Sequence, residues 1–181
     1  MSLRELIKQK HDEAENHRFV KYLFGGNISK KVYTDYLYNQ SIVYKALEDR
    51  ANHFGILDTI KEIQRYDSIC HDIKGIRASY HNHRKYDSTC EYVSYVSDLP
   101  SERILPHVYV RHMGDMFGGA ILKKVVPGNG IMYDFENRSE LISKLRSMLN
   151  DDMSTEANIV FDYAIRLYEE LSIEHNIKWT N

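Results

Sequence analysis

The sequence predicts an all-α protein, a single-domain irregular helical bundle of about seven to nine helices. Apolar residues recur at three- and four-residue intervals in several long segments, as they do on one face of an α-helix. No segment alternates as a strand, and no repeat or low-complexity stretch divides the chain. With 181 residues and 43% apolar content the chain can bury a substantial core, so we expect one domain over 1–181.

The composition excludes several classes of protein. A net charge of −2 gives no basic footprint of the kind that nucleic-acid binding needs. Cys70 and Cys90 form neither a metal-type pair nor a disulfide framework, and no Cys-x-x-Cys-His motif is present for covalent heme attachment. The charged N-terminus and the lack of an apolar run of eighteen residues predict no signal peptide and no membrane anchor. We therefore expect a soluble protein of the reducing cytoplasm.

The first helix begins at a capping box, Ser2 to Glu5, and carries an apolar stripe. His11 lies at the edge of this stripe, and Glu15 follows one helical turn later. A carboxylate at that spacing can reach an imidazole N–H and determine which ring nitrogen stays free. A histidine at such an edge is more often a hydrogen-bonded core residue than a metal ligand, but the pairing with Glu15 favours ligation.

The middle of the chain is less informative. Ser29 is expected to cap a long helix that ends near Ala51, with an aromatic stripe more typical of a core than of a cofactor site. Further helices are predicted over 56–65, 68–83, Thr89–Ser97 (capped by Ser88), 139–149, and from Ser154 or Thr155 to Ile173. His71, His81 and His83 are expected to be solvated.

A glycine-rich helix over 107–124 is the most unusual stretch. Gly114, Gly118 and Gly119 lie inside it, and each costs a helix interior roughly 1 kcal/mol against alanine. At 100° per residue, Asp115, Gly118 and Gly119 share a face that is nearly bare backbone with one carboxylate. Two explanations are open: tight helix packing, or close approach of the backbone to a planar ligand with Asp115 handling water or protons beside it.

Two motifs, which occur in the expected order and spacing, resemble those of a known protein family, and the resemblance extends over nearly the whole chain. The first is Leu3-Arg-Glu followed by Lys-Gln-Lys-His11-x-x-Ala-Glu15-Asn, and the second is Tyr109-x-Arg111-x-x-Gly114-Asp115-x-x-Gly118-Gly119-x-Ile-Leu-Lys-Lys. Tyr44-x-Ala-Leu-Glu, His107, Arg146 and Phe161 agree further. The chain resembles heme oxygenase, especially the soluble type of photosynthetic organisms, and the bundle is expected to be of that type.

The resemblance implies a role for each matching residue. His11 corresponds to the axial ligand of the iron of heme b, with Glu15 as its hydrogen-bonding carboxylate. Gly114, Gly118 and Gly119 correspond to the helix over the porphyrin, and Asp115 to the residue that holds the water network there. The remaining matches are Arg4, Tyr109 and Arg146 for the heme propionates, and Arg111 and Phe161 for the pocket lining or its hydrogen-bond network.

The resemblance also implies the reaction. Heme is both cofactor and substrate, and its ring is opened by O₂ at the α-meso carbon to give biliverdin IXα, CO and Fe²⁺. No flavin or nicotinamide motif is present, so electrons come from outside, with ferredoxin implied as the donor and a bilin reductase as a consumer of the product. We expect a monomer or weak dimer without nucleic-acid or membrane partners, serving bilin synthesis or iron recovery.

Three alternatives remain open from the residues. A non-catalytic heme carrier on the same fold would keep His11 and lose proton delivery at Asp115. A ferritin-like carboxylate protein would need two Glu-x-x-His motifs, which the sequence lacks. An interaction module without a cofactor would use the glycines only for packing.

Three positions depart from the family pattern. Leu6-Ile7 stand where Gly-Thr is usual, and Phe117 replaces a small residue between Asp115 and the glycine pair. Ile142 stands where a lysine usually meets a propionate. These changes affect how the propionates are anchored and how the ring is oriented for cleavage.

Overall fold

The computed structural model describes residues 2–76 and 83–179, whose regular structure consists of α-helices and short 3-10 helices without any strand. The predicted all-α class is therefore confirmed. His81 and the end of the helix predicted over 68–83 lie outside the described residues. The helices are α1 (Leu3–Leu6), α2 (Lys8–Glu15), α3 (Arg18–Phe24), α4 (Lys30–His53), α5 (Tyr66–Gly75), α6 (Asp87–Asp98), α7 (Leu105–Val125), α8 (Arg138–Ser147) and α9 (Ser154–Glu174).

Helix α4 forms the centre of one half of the bundle. The Ser29 hydroxyl accepts the backbone N–H of Val32 at 3.3 Å, which confirms the predicted cap. Tyr33, Leu37 and Leu47 on its buried side are completely shielded from solvent. Helices α5 and α6 pack along it, so the aromatic stripe is core, as the sequence indicated.

Helix α9 organises the other half, because α2, α3, α6 and α7 all pack against it. A small apolar cluster joins Leu3, Ile7 and Ala14 of the N-terminal segment to Ala157 and Phe161 of α9. Tyr109 of α7 packs against both this cluster and the main core. The N-terminal helices and the glycine-rich helix therefore share one neighbour, which fixes their relative positions.

Several boundaries differ from the predictions. The capping box forms, with the Ser2 N–H donating to Glu5 at 2.7 Å, but the first helix breaks at Ile7. Ser88 lies inside α6 and does not cap it, since both its N–H and its hydroxyl donate to Glu170 of α9. Only a 3-10 turn, Lys61–Ile63, forms in the segment predicted as a helix over 56–65.

The turn after α7 is made by glycines, as predicted. Gly128 and Gly130 adopt φ values of +86° and +60°, in the left-handed region that side chains disfavour. A 3-10 turn, Ile131–Tyr133, follows, and Asp72 accepts two of its backbone N–H groups at 2.9 and 2.8 Å. This turn brings Tyr133 back against α7.

Within the part of the chain that the structure describes, no helix combines the length and the apolar character that a membrane crossing requires.

Candidate functional site

His11 lies on α2 with its side chain 56% exposed. Its Nδ1 is 3.5 Å from Asp12 and 3.8 Å from Glu15, so the predicted partner Glu15 is near but beyond direct hydrogen-bond reach. The ring meets Phe161 of α9 edge-on, with 6.0 Å between ring centres. In the described ranges Nε2 makes no hydrogen bond, so that nitrogen is left for an external ligand.

The ligand atoms of His11, Asp12 and Glu15 all lie within 4.8 Å of one another. They could hold a metal ion by distance alone. Asp12, however, already pairs with Lys8, and the carboxylates are exposed to water. The group therefore fits better as an imidazole with carboxylates oriented toward one of its nitrogens.

Asp115 lies on α7, and the hydroxyl of Tyr44 on α4 donates a hydrogen bond to its carboxylate. Burial disfavours the ionised form and raises the pKa of Asp115 to about 6. The Tyr44 hydrogen bond and the charges of His112 and Arg111 oppose that shift. A carboxyl with such a pKa can both hold and release a proton near neutral pH.

A second layer supports Tyr44. His112, completely buried, meets the Tyr44 ring edge-on at 5.0 Å between centres. Its Nδ1 lies 2.9 Å from the carbonyl oxygen of Val108, and its Nε2 lies 3.2 Å from Glu48. Glu48 also accepts the backbone N–H of Arg65 at 2.6 Å, so this carboxylate joins the His112 ring to the start of α5.

The three glycines of α7 have different surroundings. A methyl group on Gly119 would lie 2.9 Å from the Cβ of Tyr133, and one on Gly118 would lie 3.3 Å from the ring of Phe24. A methyl group on Gly114 would meet nothing within 4 Å. Close packing therefore accounts for Gly119, whereas Gly114 leaves open space over the helix, next to Asp115.

The residues matched to propionate contacts lie near one another. Tyr109 is half-buried, and burial raises the pKa of its hydroxyl while the charges of Arg146 and Arg4 lower it. Both guanidinium groups are therefore close enough to act on this hydroxyl. Arg111 is separate from them, with its guanidinium 4.2 Å from the ring centre of Tyr92. Its charge also acts on Asp115.

His107, the first residue of the predicted glycine-rich helix, lies in the first turn of α7 and is completely buried. Its Nε2 donates to Glu156 of α9 at 2.9 Å, and the hydroxyl of Tyr92 donates to its Nδ1 at 2.9 Å. Burial opposes ionisation of Glu156, but hydrogen bonds from His107, Tyr95 and Arg103 lower its pKa to about 2. This network links α6, α7 and α9 and holds α7 in place.

Sequence reasoning did not assign roles to Tyr44, His112 or Glu48. Tyr44 and Glu48 are four residues apart on α4, and His112 precedes Asp115 by three on α7, so both pairs have helical spacing. That spacing could have suggested two facing polar pairs inside an apolar stripe. It could not have shown that the two helices meet at this point.

The fold and the site together define an all-α protein whose candidate ligand-binding groups lie on two helices, α2 and α7, packed against a third, α9. The family model for heme oxygenase matches residues 1–160. The chain belongs to the heme oxygenase family, a family of enzymes that degrade heme.

Individual relatives agree with this assignment. The chain is 27% identical to a heme oxygenase of Guillardia theta, over 97% of its own length and 86% of the relative. It is 27% identical to heme oxygenase 2 of Oryctolagus cuniculus, of whose length it spans 64%. The crystal structure of heme oxygenase-1 from Synechocystis sp. PCC6803 in complex with heme superposes with a TM-score of 0.82 at 25% identity, over 97% of this chain and 91% of that one.

Proposed function

We propose that the protein binds heme b through His11 and cleaves the heme ring at the α-meso carbon. The products are biliverdin IXα, CO and Fe²⁺, and the reaction uses O₂ and electrons from another protein. The observation that carries this proposal is the Asp115 carboxyl, whose pKa of about 6 suits a group that passes protons near neutral pH. Membership in the heme oxygenase family supports the same reaction.

Three features of the described residues fit heme. His11 offers a ring nitrogen without a protein partner, which is the usual iron ligand in such proteins. Gly114 leaves space for a flat group over α7. Arg4 and Arg146 beside Tyr109 offer positive charge to propionate carboxylates.

In this proposal heme supplies both the iron at which O₂ reacts and the ring that is oxidised. His11 would hold the iron through Nε2, while the Asp12 carboxylate lies 3.5 Å from Nδ1 on the other side of the ring and would orient it. An imidazole ligand would donate less electron density to the iron than an imidazolate or a thiolate, and this would suit oxidation of the heme ring.

On α7, the Asp115 carboxyl would hold a proton and deliver it, through water, toward the place where O₂ reacts. Tyr44 fixes the carboxyl by donating to it, so the acidic proton lies on the oxygen that is not engaged by Tyr44. His112 and Glu48 hold Tyr44 in place behind it. The bare backbone at Gly114 would let a heme ring come close to α7, and we propose this close approach as the origin of α-meso selectivity.

We also propose ferredoxin as the electron donor and a bilin reductase as a consumer of the product. Basic residues of α2, α3 and α7 are the candidates for docking the donor, and four of them pair with carboxylates: Lys8, Lys10, Arg18 and Lys123 with Asp12, Asp162, Glu169 and Asp134. Lys124, exposed at the end of α7, is the remaining candidate. Docking is therefore expected to depend only moderately on ionic strength.

Reconstitution tests the proposal. The full-length protein is mixed with hemin, and a Soret band with a histidine-ligated spectrum is expected. Ferredoxin, its reductase and NADPH are then added, and the Soret band should decay while biliverdin absorbance grows, with the IXα isomer dominant by chromatography. A heme complex that stays intact under these conditions would instead establish the heme carrier, and no Soret band would refute both.

A further inference from the structure

Phe117 of α7 carries an exposed aromatic ring between two arginines. The residue is 52% exposed. The guanidinium carbons of Arg138 and Arg146 both lie 5.6 Å from the centre of the ring. Guanidinium groups are attracted to aromatic faces at such distances. Phe117 therefore holds two positive charges at the edge of α7.

Neither arginine has a carboxylate within ion-pair distance in the described residues. Four other arginines do have one: Arg18, Arg84, Arg103 and Arg166 pair with Glu169, Glu174, Glu156 and Glu91. The Nε of Arg138 is moreover buried and has no hydrogen-bond acceptor. This nitrogen is thus unsatisfied by the protein, and a planar guanidinium suits a carboxylate from a ligand.

The two arginines occupy the ends of one face of α8, with Ile142 between them at four-residue spacing. Ile142 is partly buried and packs against the main core, so this position contributes no charge. Arg146 also acts on Tyr109, one of the residues matched to propionate contacts. The Phe117 ring therefore places Arg138 near Arg146, one of the residues matched to propionate contacts.

We propose that Arg138, held on the ring of Phe117, is a second anchor for the heme propionates and replaces the charge that Ile142 lacks. This inference rests on the proposed function. Arg138 and Arg146 would each bind a propionate carboxylate by charge-assisted hydrogen bonds. Phe117 thereby becomes a positioning residue, because it sets where the two guanidinium groups stand and so how the ring is turned over α7.

The test compares hemin with hemin dimethyl ester, whose propionates cannot accept a charged hydrogen bond as anions. Dissociation constants are measured by Soret titration of the full-length protein and of Arg138→Gln. We expect hemin to bind Arg138→Gln about tenfold more weakly than the wild type, from the loss of one charged hydrogen bond. The ester should bind both proteins with nearly equal affinity.

Arg166→Gln is the matched control, since it also removes one surface arginine but from an ion pair with Glu91. It should change neither dissociation constant. If Arg138→Gln behaves like this control, the anchor is refuted while the proposed function stands. Failure of the wild type to bind hemin at all would refute the proposed function instead.

Phe117→Leu separates positioning from charge, because it removes the aromatic ring and leaves both arginines. We expect a smaller loss of hemin affinity, about twofold to fivefold, from the lost cation–aromatic attraction. We also expect other biliverdin isomers beside IXα by chromatography. An unchanged isomer pattern together with unchanged hemin affinity would refute the role of Phe117.

Discussion

The two sides of the candidate site are built in different ways. On α2, His11 and Glu15 are one turn apart, with side chains 56% and 68% exposed, and their partners are close in sequence. On α7, Asp115 accepts a hydrogen bond from Tyr44, 71 residues away in sequence. Tyr44 packs against His112, which in turn contacts Glu48. Because the side chains of His11 and Glu15 are exposed, their polar groups are solvated by water and do not depend on contacts with distant helices. The chemistry of the second side depends on burial, because desolvation raises the pKa of Asp115.

This difference separates binding from reactivity. An exposed imidazole needs only to be present and unblocked to bind a ligand, so its surroundings can be simple. A carboxyl that must hold a proton near pH 6 needs a partly desolvated environment with a fixed donor, and such an environment requires several helices to meet. Each of the following predictions changes one side and leaves the other intact.

The largest effect is expected from His11→Ala. Removing the only ligand proposed for the iron should abolish the histidine-ligated Soret spectrum of the hemin complex. Glu15→Gln is the control, since Glu15 is exposed and 3.8 Å from the ring, and it should keep the spectrum. Absorbance titration with hemin measures both. A histidine-type spectrum that survives in His11→Ala would show that another residue binds the iron.

The next effect is expected from Asp115→Ala, which should keep the Soret spectrum and lose most biliverdin formation. General acid–base groups contribute about 10² to 10⁴ in rate, so at least a hundredfold loss is expected. Tyr44→Phe should cost less, because it leaves the carboxyl and removes only its donor. Single-turnover assays with the heme complex measure both variants. Full biliverdin yield from Asp115→Ala would contradict the role of the carboxyl.

Asp115→Asn should raise stability in a pH-dependent way. Since the folded protein holds this proton up to about pH 6 and the unfolded chain releases it near 3.8, the folded state binds more protons between these values. Stability is therefore lost as pH rises through that interval, by up to about 3 kcal/mol. Asp115 keeps part of its surface exposed, which makes this an upper value.

The asparagine variant has no such proton to lose. Urea unfolding of the heme-free protein should show little difference between the two proteins at pH 4 and a clear advantage of Asp115→Asn at pH 7.5. An equal stability difference at both pH values would show that burial does not perturb this carboxyl. The variant is at the same time expected to be inactive, so stability and activity should move in opposite directions.

The smallest effect compares two glycines of α7. Gly119→Ala should destabilise the heme-free protein by about 1–3 kcal/mol, because the new methyl group would meet the Cβ of Tyr133 at 2.9 Å. Gly114→Ala should be neutral or stabilising by up to about 1 kcal/mol, since it meets nothing and alanine favours the helix. Thermal unfolding measures both.

The hemin affinities of Gly114→Ala and Gly119→Ala give a second comparison of these two variants. If Gly114 is open because a flat ligand lies over it, then Gly114→Ala should weaken hemin binding although it stabilises the protein. Gly119→Ala should weaken hemin binding only in proportion to its loss of stability. Equal hemin affinities of Gly114→Ala and the wild type would assign Gly114 no part in the site.

Helical periodicity was sufficient to predict the fold class, the span of α4 with its Ser29 cap, and the glycine turn after α7, because these depend on residues within one or two turns. Boundaries that depend on distant partners were missed. Ser88 has the chemistry of a cap, yet Glu170 of α9 binds it and α6 begins one residue earlier than Ser88. Local propensity could not anticipate that contact.

The sequence by itself determined that His11 and Glu15 share a turn of helix and that a carboxylate lies beside glycines, since covalent spacing on a helix fixes both. Only the tertiary structure decided which glycine faces open space and which meets Tyr133. It also brought Tyr44 to Asp115 and two arginines to Phe117. The reason is that burial and electrostatic environment come from the meeting of helices far apart in the chain, and no periodicity records where they meet.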